Sequence, residues 1–247
     1  MGRFRVGALG ARPALPGGWT GQPPERTTHM DIESARKEVH PQEAPESERL
    51  LAVMDEAVAA LRDADITFLL MGGLATSVLG RGRGVTDIDF FVHDRDVGAT
   101  LAALEMSGFE TMVVSPNWLA KGFKDGILVD VISRSTHDIT LTDEILERSV
   151  EVDVHGRRLP CVSPEDLIVM KAVATTEDTA RYWYDALSLL GRPDLDWAYL
   201  ARRAKQHGAK RLTAFLFFAG SMDLLVPDEI VEELVDAVRP VASRTGD

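Results

Sequence analysis

Two aspartates separated by one residue, Asp87 and Asp89, stand inside the apolar run "TDIDFFV". Successive side chains of a strand point to opposite faces, so both carboxylates share one side while Ile88 and Phe90 share the other. Like charges so placed repel one another unless a cation lies between them, and hard oxygen donors beside phosphate suit Mg²⁺. Asp130 repeats the device in a second apolar run, "ILVDVIS". If the two strands are neighbours, three carboxylates converge and could hold two divalent ions, the arrangement used for in-line phosphoryl or nucleotidyl displacement. Upstream, "ITFLLMG" is followed by "GLATSVLG", so Gly72 and Gly73 close one strand and open a helix. Bare backbone there lets phosphate oxygens reach N–H groups and the positive end of the helix dipole. The stretch is neither a Walker loop, since no Gly-Lys-Ser/Thr follows, nor a dinucleotide fingerprint, which needs a third spaced glycine.

The elements that must position these residues follow from periodicity. "SERLLAVMDEAVAALRDADI" sets Leu50, Leu51, Met54, Ala57, Val58 and Leu61 on one helical face, with Ser47 available as a cap. Strand, short helix, strand and a helix ending near Gly108 then alternate as far as "DVGATLAALEMSGF". "ETMVVS" and "ILVDVIS" read as two more strands, and "EVDVHGRRLPCVS" as a ribbon turning at His155 and Gly156. From Ser163 onward the pattern is helical. The expected fold class is α/β (α+β): a small mixed β-sheet flanked by helices over residues 46–160, with a helical C-terminal region over 161–240. Residues 1–45, rich in Pro, Gly, Arg and Glu without sustained periodicity, and 241–247 are expected to be disordered or flexible. Met30 would serve as an alternative start, which puts residues 1–29 in question as part of the native protein.

Bulk properties narrow the classes of partner. The 247 residues are 45% hydrophobic and 27% charged, enough apolar material for one large or two modest cores. A net charge of −12 makes the surface as a whole repel nucleic acid and anionic membranes. The exception is "ARRAKQHGAKR", Ala201 to Arg211, with five positive charges; it reads either as a solvated helix face or as a landing strip for an RNA acceptor. The apolar stretch from Leu212 to Val226 is too short to span a bilayer and contains Asp223, so no membrane partner is expected. No secretion signal is visible. The sole cysteine, Cys161, fits a reducing, cytoplasmic setting. His93, His137 and His155 lack metal-ligand spacing and read as structural or solvent-facing, and Tyr182, Trp183 and Tyr184 as packing in a helical core.

The ordered set Met71-Gly72-Gly73, thirteen residues, Asp87-Ile88-Asp89-Phe90 and then Asp130 resembles the nucleotidyltransferases of the DNA polymerase beta superfamily, especially its minimal bacterial members. A second block, "SPEDLIVMKAVATTEDTARYWYDALSLL", looks like the helical region of AbiE-type toxins and related uncharacterised proteins at Lys171 and Asp185. It departs from them where "ARYWYD" replaces the usual basic run, leaving Arg181 as the nearest basic residue. The resemblance spans roughly Ile66 to Leu190. It implies transfer of a nucleoside monophosphate from an NTP to an acceptor, with two Mg²⁺ ions (or Mn²⁺) at Asp87, Asp89 and Asp130. Asp130 would stand beside the acceptor as metal ligand or general base. Gly72, Gly73, Ser77, Arg83, Lys171 and Asp185 would serve the triphosphate, with Arg81 less securely placed. RNA or tRNA, a protein side chain, or a small hydroxylated molecule compete as acceptor, and toxin-like kinship would add an antitoxin-like protein partner. Antibiotic-modifying relatives rank lower, because their Arg-x-x-Asp spacer and preceding His are not matched by "RGRGVTDID". Two rivals are a catalytically silent nucleotide-binding module of the same fold and a divalent-metal nuclease or phosphodiesterase. The nuclease would need no glycine cradle.

Overall fold

The structure, a computed structural model, describes residues 44–239. The tail expected over 1–45 and the flexible end expected over 241–247 lie outside those residues, apart from Ala44 and Pro45, which open the first helix.

Helix α1 (Ala44–Asp63) buries Leu50, Met54, Ala57, Val58 and Leu61 on its inner face, as the spacing predicts, together with Val53. Ser47 lies within this helix rather than capping it, because the helical run continues upstream to Ala44. Next come β1 (Phe68–Met71), α2 (Gly72–Leu79), β2 (Asp87–Val92), α3 (Val97–Met106), β3 (Glu110–Ser115), β4 (Leu119–Lys124) and β5 (Ile127–Ile132). The short β6 (Arg134–Ser135) and β7 (Ile139–Thr140) flank a 3₁₀ turn over Thr136–Asp138, and α4 (Asp143–Glu147) leads to the ribbon β8 (Val150–Val154) and β9 (Arg157–Cys161). Helices α5 (Pro164–Ala174), α6 (Arg181–Leu190), α7 (Trp197–His207), α8 (Ala209–Ser221) and α9 (Asp228–Val238) complete the described chain.

Seven strands form one mixed sheet in the order β3-β4-β5-β2-β1-β9-β8. β2 runs parallel to β5, and β1 meets β9 in parallel at Leu70 and Cys161; the other neighbours are antiparallel. Central position explains the composition of β2: Ile88, Phe90, Phe91 and Val92 are fully buried, and Phe90 meets Phe68 edge-on at 5.2 Å between ring centres. Each such side chain contributes roughly 1.5–3 kcal/mol through burial, which anchors the strand that carries Asp87 and Asp89. Helices α1 and α3 pack together and against the sheet, whereas α5 and α6 pack on each other and on α2.

Two turns fix register. β4 and β5 are joined by Asp125 and Gly126, both in the left-handed region at φ 50° and 81°, so Lys124 faces Ile127 and Lys121 faces Asp130. The β8–β9 ribbon turns at His155 and Gly156, where the sequence places it. α5 starts with Ser163 accepting the Asp166 N–H at 3.2 Å and Pro164 in its first turn, which sets the helix that brings Lys171 to the sheet.

Candidate active site

Strand register alone brings the acidic residues together. Asp89 on β2 lies directly beside Asp130 on β5, and Asp87 is two residues along the same face. A cross-strand row therefore reads Met112, Lys121, Asp130, Asp89, Met71 from β3 to β1. All three aspartates line a cavity of about 510 Å³, with Gly72, Gly73, Arg83 and Lys171 on its walls.

Gly72 is required for a reason beyond access for phosphate. Its φ is +65°, and a Cβ there would stand 1.9 Å from Asp89 Oδ2, so the carboxylate rests against bare backbone. The Gly73 N–H, at the start of α2, donates to that same oxygen at 3.2 Å. This single hydrogen bond and the nearby Lys171 do not offset burial and the negative charges of Asp87 and Asp130. Asp89 is accordingly pushed from the ordinary carboxylate range up to about 7.

On the other side of the cradle Asp185, buried on α6, holds two cations. Arg83 makes a forked pair with it, Nε and Nη2 each donating at 3.0 Å, and Lys171 Nζ stands 3.2 Å from Oδ2. Burial pulls the Lys171 ammonium below the ordinary lysine range, and Asp185 opposes that pull. Asp185 does not itself line the cavity; it works from behind, aiming Arg83 and Lys171 at the cradle. Ser77 departs from its expected role in the same way. Its hydroxyl accepts the Arg83 N–H at 3.0 Å and donates to the Arg83 carbonyl at 3.1 Å, so it ties the loop that delivers Arg83 and lines no part of the cavity. Arg81 is exposed and outside the lining.

The profile of a family described as uncharacterised nucleotidyltransferase matches residues 21–219. The chain belongs to this nucleotidyltransferase family. It has no match among functionally curated proteins. Among solved structures it is similar to the lincosamide antibiotic adenylyltransferase LnuA bound to lincomycin, at 18% identity over 56% of this chain and 94% of that one, TM-score 0.42. It is also similar to the antibiotic-resistance factor ANT(2'')-Ia, at 16% identity over 72% and 96%, TM-score 0.48. A third likeness is to a protein from Thermotoga maritima described as a putative nucleotidyltransferase, at 17% identity over 47% and 78%, TM-score 0.38.

Several residues of this nucleotidyltransferase's cavity escape the sequence reading. Trp118, Ile132, Arg134 and the turn from Ser135 to Asp138 form the wall beyond Asp130, and Arg181 and Tyr182 contribute from α6. His137, expected to be structural or solvent-facing, lines this wall with a left-handed backbone (φ 62°), and its Nδ1 donates to the His207 carbonyl. Of the three aromatics expected in the core, Trp183 is there, against Phe215 and Phe218; Tyr182 faces the cavity under the Lys171 ammonium, 4.3 Å from its ring centre, and Tyr184 is exposed. The basic run on α7 and α8 is largely spent on ion pairs: Arg202 with Glu144 at 2.6 Å, Arg203 with Asp166 at 2.7 Å and Lys205 with Glu233 at 2.5 Å.

The donor set fits a hard divalent cation at Asp87 and Asp89. It offers carboxylate oxygens only, and Asp89 is raised first by burial and then by the charges of Asp87 and Asp130. The third carboxylate is engaged differently, because Lys121 Nζ lies 2.8 Å from Asp130 Oδ1. Among the described residues no three His, Cys, Asp or Glu side chains form a ready cage for an ion. The three carboxylates thus share one cavity, with Lys121 paired to the one on β5.

Proposed function

We propose that this nucleotidyltransferase moves a nucleoside monophosphate from an NTP to a hydroxyl of a small molecule bound beyond Asp130. The observation that supports the reading is the shared cavity: cradle, paired cations and three carboxylates all line one space. Strand order gives it direction. The cradle, between β1 and α2, lies on one side of β2, and the wall of Trp118, Ile132 and Arg134 lies on the other, at the end of β5 and beyond it. Triphosphate belongs on the first side and acceptor on the second.

In this scheme the Gly73 end of α2 and the Arg83–Lys171 pair take the β- and γ-phosphates, and Arg83 neutralises charge arriving on the departing pyrophosphate. The acceptor oxygen attacks the α-phosphorus, the bond from that phosphorus to the pyrophosphate oxygen breaks with its electron pair leaving on pyrophosphate, and the acceptor proton passes to Asp130. Asp87 and Asp89 would hold Mg²⁺ or Mn²⁺, which when bound would supply charge neutralisation at the triphosphate. A silent nucleotide-binding module would gain nothing from keeping Asp87, Asp89 and Asp130 adjacent, since their mutual repulsion is a cost to the fold.

The choice of a small acceptor rests on size and charge. A cavity of about 510 Å³ is in the range of small-molecule sites. The basic run that favoured RNA or tRNA is mostly neutralised by Glu144, Asp166 and Glu233. A toxin-like role with an antitoxin partner is left with only the resemblance at Lys171 and Asp185. The test incubates the protein with Mg²⁺, each α-labelled NTP, pools of hydroxylated small molecules, total RNA and protein. Label on a small molecule, lost in Asp89→Asn, supports the reading. Label on RNA or on a protein overturns the choice of acceptor, and tight NTP binding with no transfer favours the silent module.

A further inference from the structure

Lys121 has no part in the scheme above, yet it stands in the same cross-strand row as two of the three carboxylates. Its ammonium lies 2.8 Å from Asp130 Oδ1, with side chains 26% and 16% exposed, so the pair is drawn back from the open surface, with Asp130 lining the cavity and Lys121 outside its lining. The strands that carry the two residues are locked by six consecutive register pairs and a two-residue turn. On its other side Lys121 faces Met112, which offers no competing charge. Arg83 and Lys171 are held on the opposite flank by Asp185. On the acceptor side Arg134 also lines the cavity but is paired with Asp138 at 2.9 Å, and Lys121 is the cation there bound to one of the three carboxylates.

We propose that Lys121 replaces the second divalent ion: its ammonium occupies the place on Asp130 that such an ion would take, and the site binds a single ion, at Asp87 and Asp89. This rests on the nucleotidyl-transfer reading. An ion ligated at ~2.1 Å by the oxygen that Lys121 holds would lie within about 5 Å of the ammonium, and one on the other oxygen within about 7 Å, so like charges would face each other across one carboxylate unless the lysine left. In the transfer step Lys121 touches neither substrate nor reacting atoms. It holds one oxygen of Asp130 and so positions the carboxylate that receives the acceptor proton, while the phosphorus–oxygen bonds form and break as above.

Native mass spectrometry of the full chain with Mn²⁺ and an α,β-methylene NTP, which cannot release pyrophosphate, counts ions per nucleotide-bound protein. The expected result is one Mn²⁺ in the wild type, one in Lys121→Arg, which keeps the charge, and two in Lys121→Met. Two ions in the wild type overturn the inference even if Lys121→Met fails to fold, and so does a single ion in folded Lys121→Met. Those outcomes leave nucleotidyl transfer standing. A chain that retains no nucleotide at any Mn²⁺ concentration overturns the transfer site itself and this inference with it.

Discussion

Asp166 and Asp89 are both carboxylates drawn out of bulk water, and their surroundings are opposite in kind. Asp166, at the start of α5, receives Arg203 Nε and the Tyr199 hydroxyl, each at 2.7 Å, and the Ser163 hydroxyl at 3.2 Å. Arg203 passes the network on to His207 Nε2 at 2.9 Å, and His207 Nδ1 donates to the His137 carbonyl at 3.2 Å. Every member has a partner. Asp89 receives one backbone N–H and faces Asp87 and Asp130, carboxylates like itself, with Lys171 as the nearby cation, itself held by Asp185. A closed cluster of opposite charges ties helices together; an open cluster of like charges is a standing cost that a bound cation and its ligand relieve. The difference separates the charges that hold the fold from those available for chemistry.

The sharpest way to break this contrast is to remove one charge from each cluster. Asp89→Asn is expected to lower nucleotidyl transfer on the order of 10⁴-fold, equivalent to ~5.5 kcal/mol, while thermal melting in chelator stays the same or rises because repulsion is relieved. Asp166→Ala should do the reverse. It strands Arg203 in the interior, and chemical denaturation should show a loss of about 3–5 kcal/mol. If Asp89→Asn unfolded the protein and Asp166→Ala did not, the assignment of the two clusters would be inverted.

Asp185 stands between these types, since it is buried and paired yet holds two cations for the cavity. For Asp185→Asn the expectation is a rise in KM for the NTP of ten- to a hundredfold, on the scale of ~1.5–3 kcal/mol for charged hydrogen bonds, with a smaller fall in kcat. A purely structural Asp185 would instead lower melting temperature and leave KM unchanged in the folded fraction. The smallest effect concerns pH. Burial holds His207 below the ordinary histidine range, so the unfolded chain binds its proton first as pH falls. Stability from this group is complete above about 6.5 and declines below it. Melting curves from pH 7 to 5 should fall more steeply for the wild type than for His207→Gln, and parallel curves would show that the ring carries no such linkage.

Much of the open cluster was legible in sequence because it is made of strand periodicity: Asp-x-Asp on one strand and Asp130 on another need only correct pairing to meet. Gly72 and Gly73 were equally plain, although the reason for Gly72 includes the close approach of Asp89, a long-range contact with no local signal. β4 was missed because "LAKGFK" mixes glycine and lysines with its apolar residues and has weak strand propensity. Its signal was present all the same. Asp125-Gly126 is the residue pair that two-residue hairpins favour, and counting back from it pairs Lys121 with Asp130. Ser77 and Asp185 lie beside the cradle yet line no part of the cavity, because sequence spacing cannot distinguish a side chain that lines a cavity from one that braces its lining. The closed cluster offered almost nothing to a reader of sequence, since its acid and base come from different helices and meet only through packing.

The central claim is tested most directly by following two labels from one NTP, on the α- and on the γ-phosphorus, through a single turnover with the acceptor. The account predicts that the α-label appears on the acceptor while the γ-label leaves in pyrophosphate, both lost together in Asp89→Asn. A γ-label found on the acceptor or in orthophosphate, or an α-label that never leaves the nucleotide with any acceptor, would contradict it.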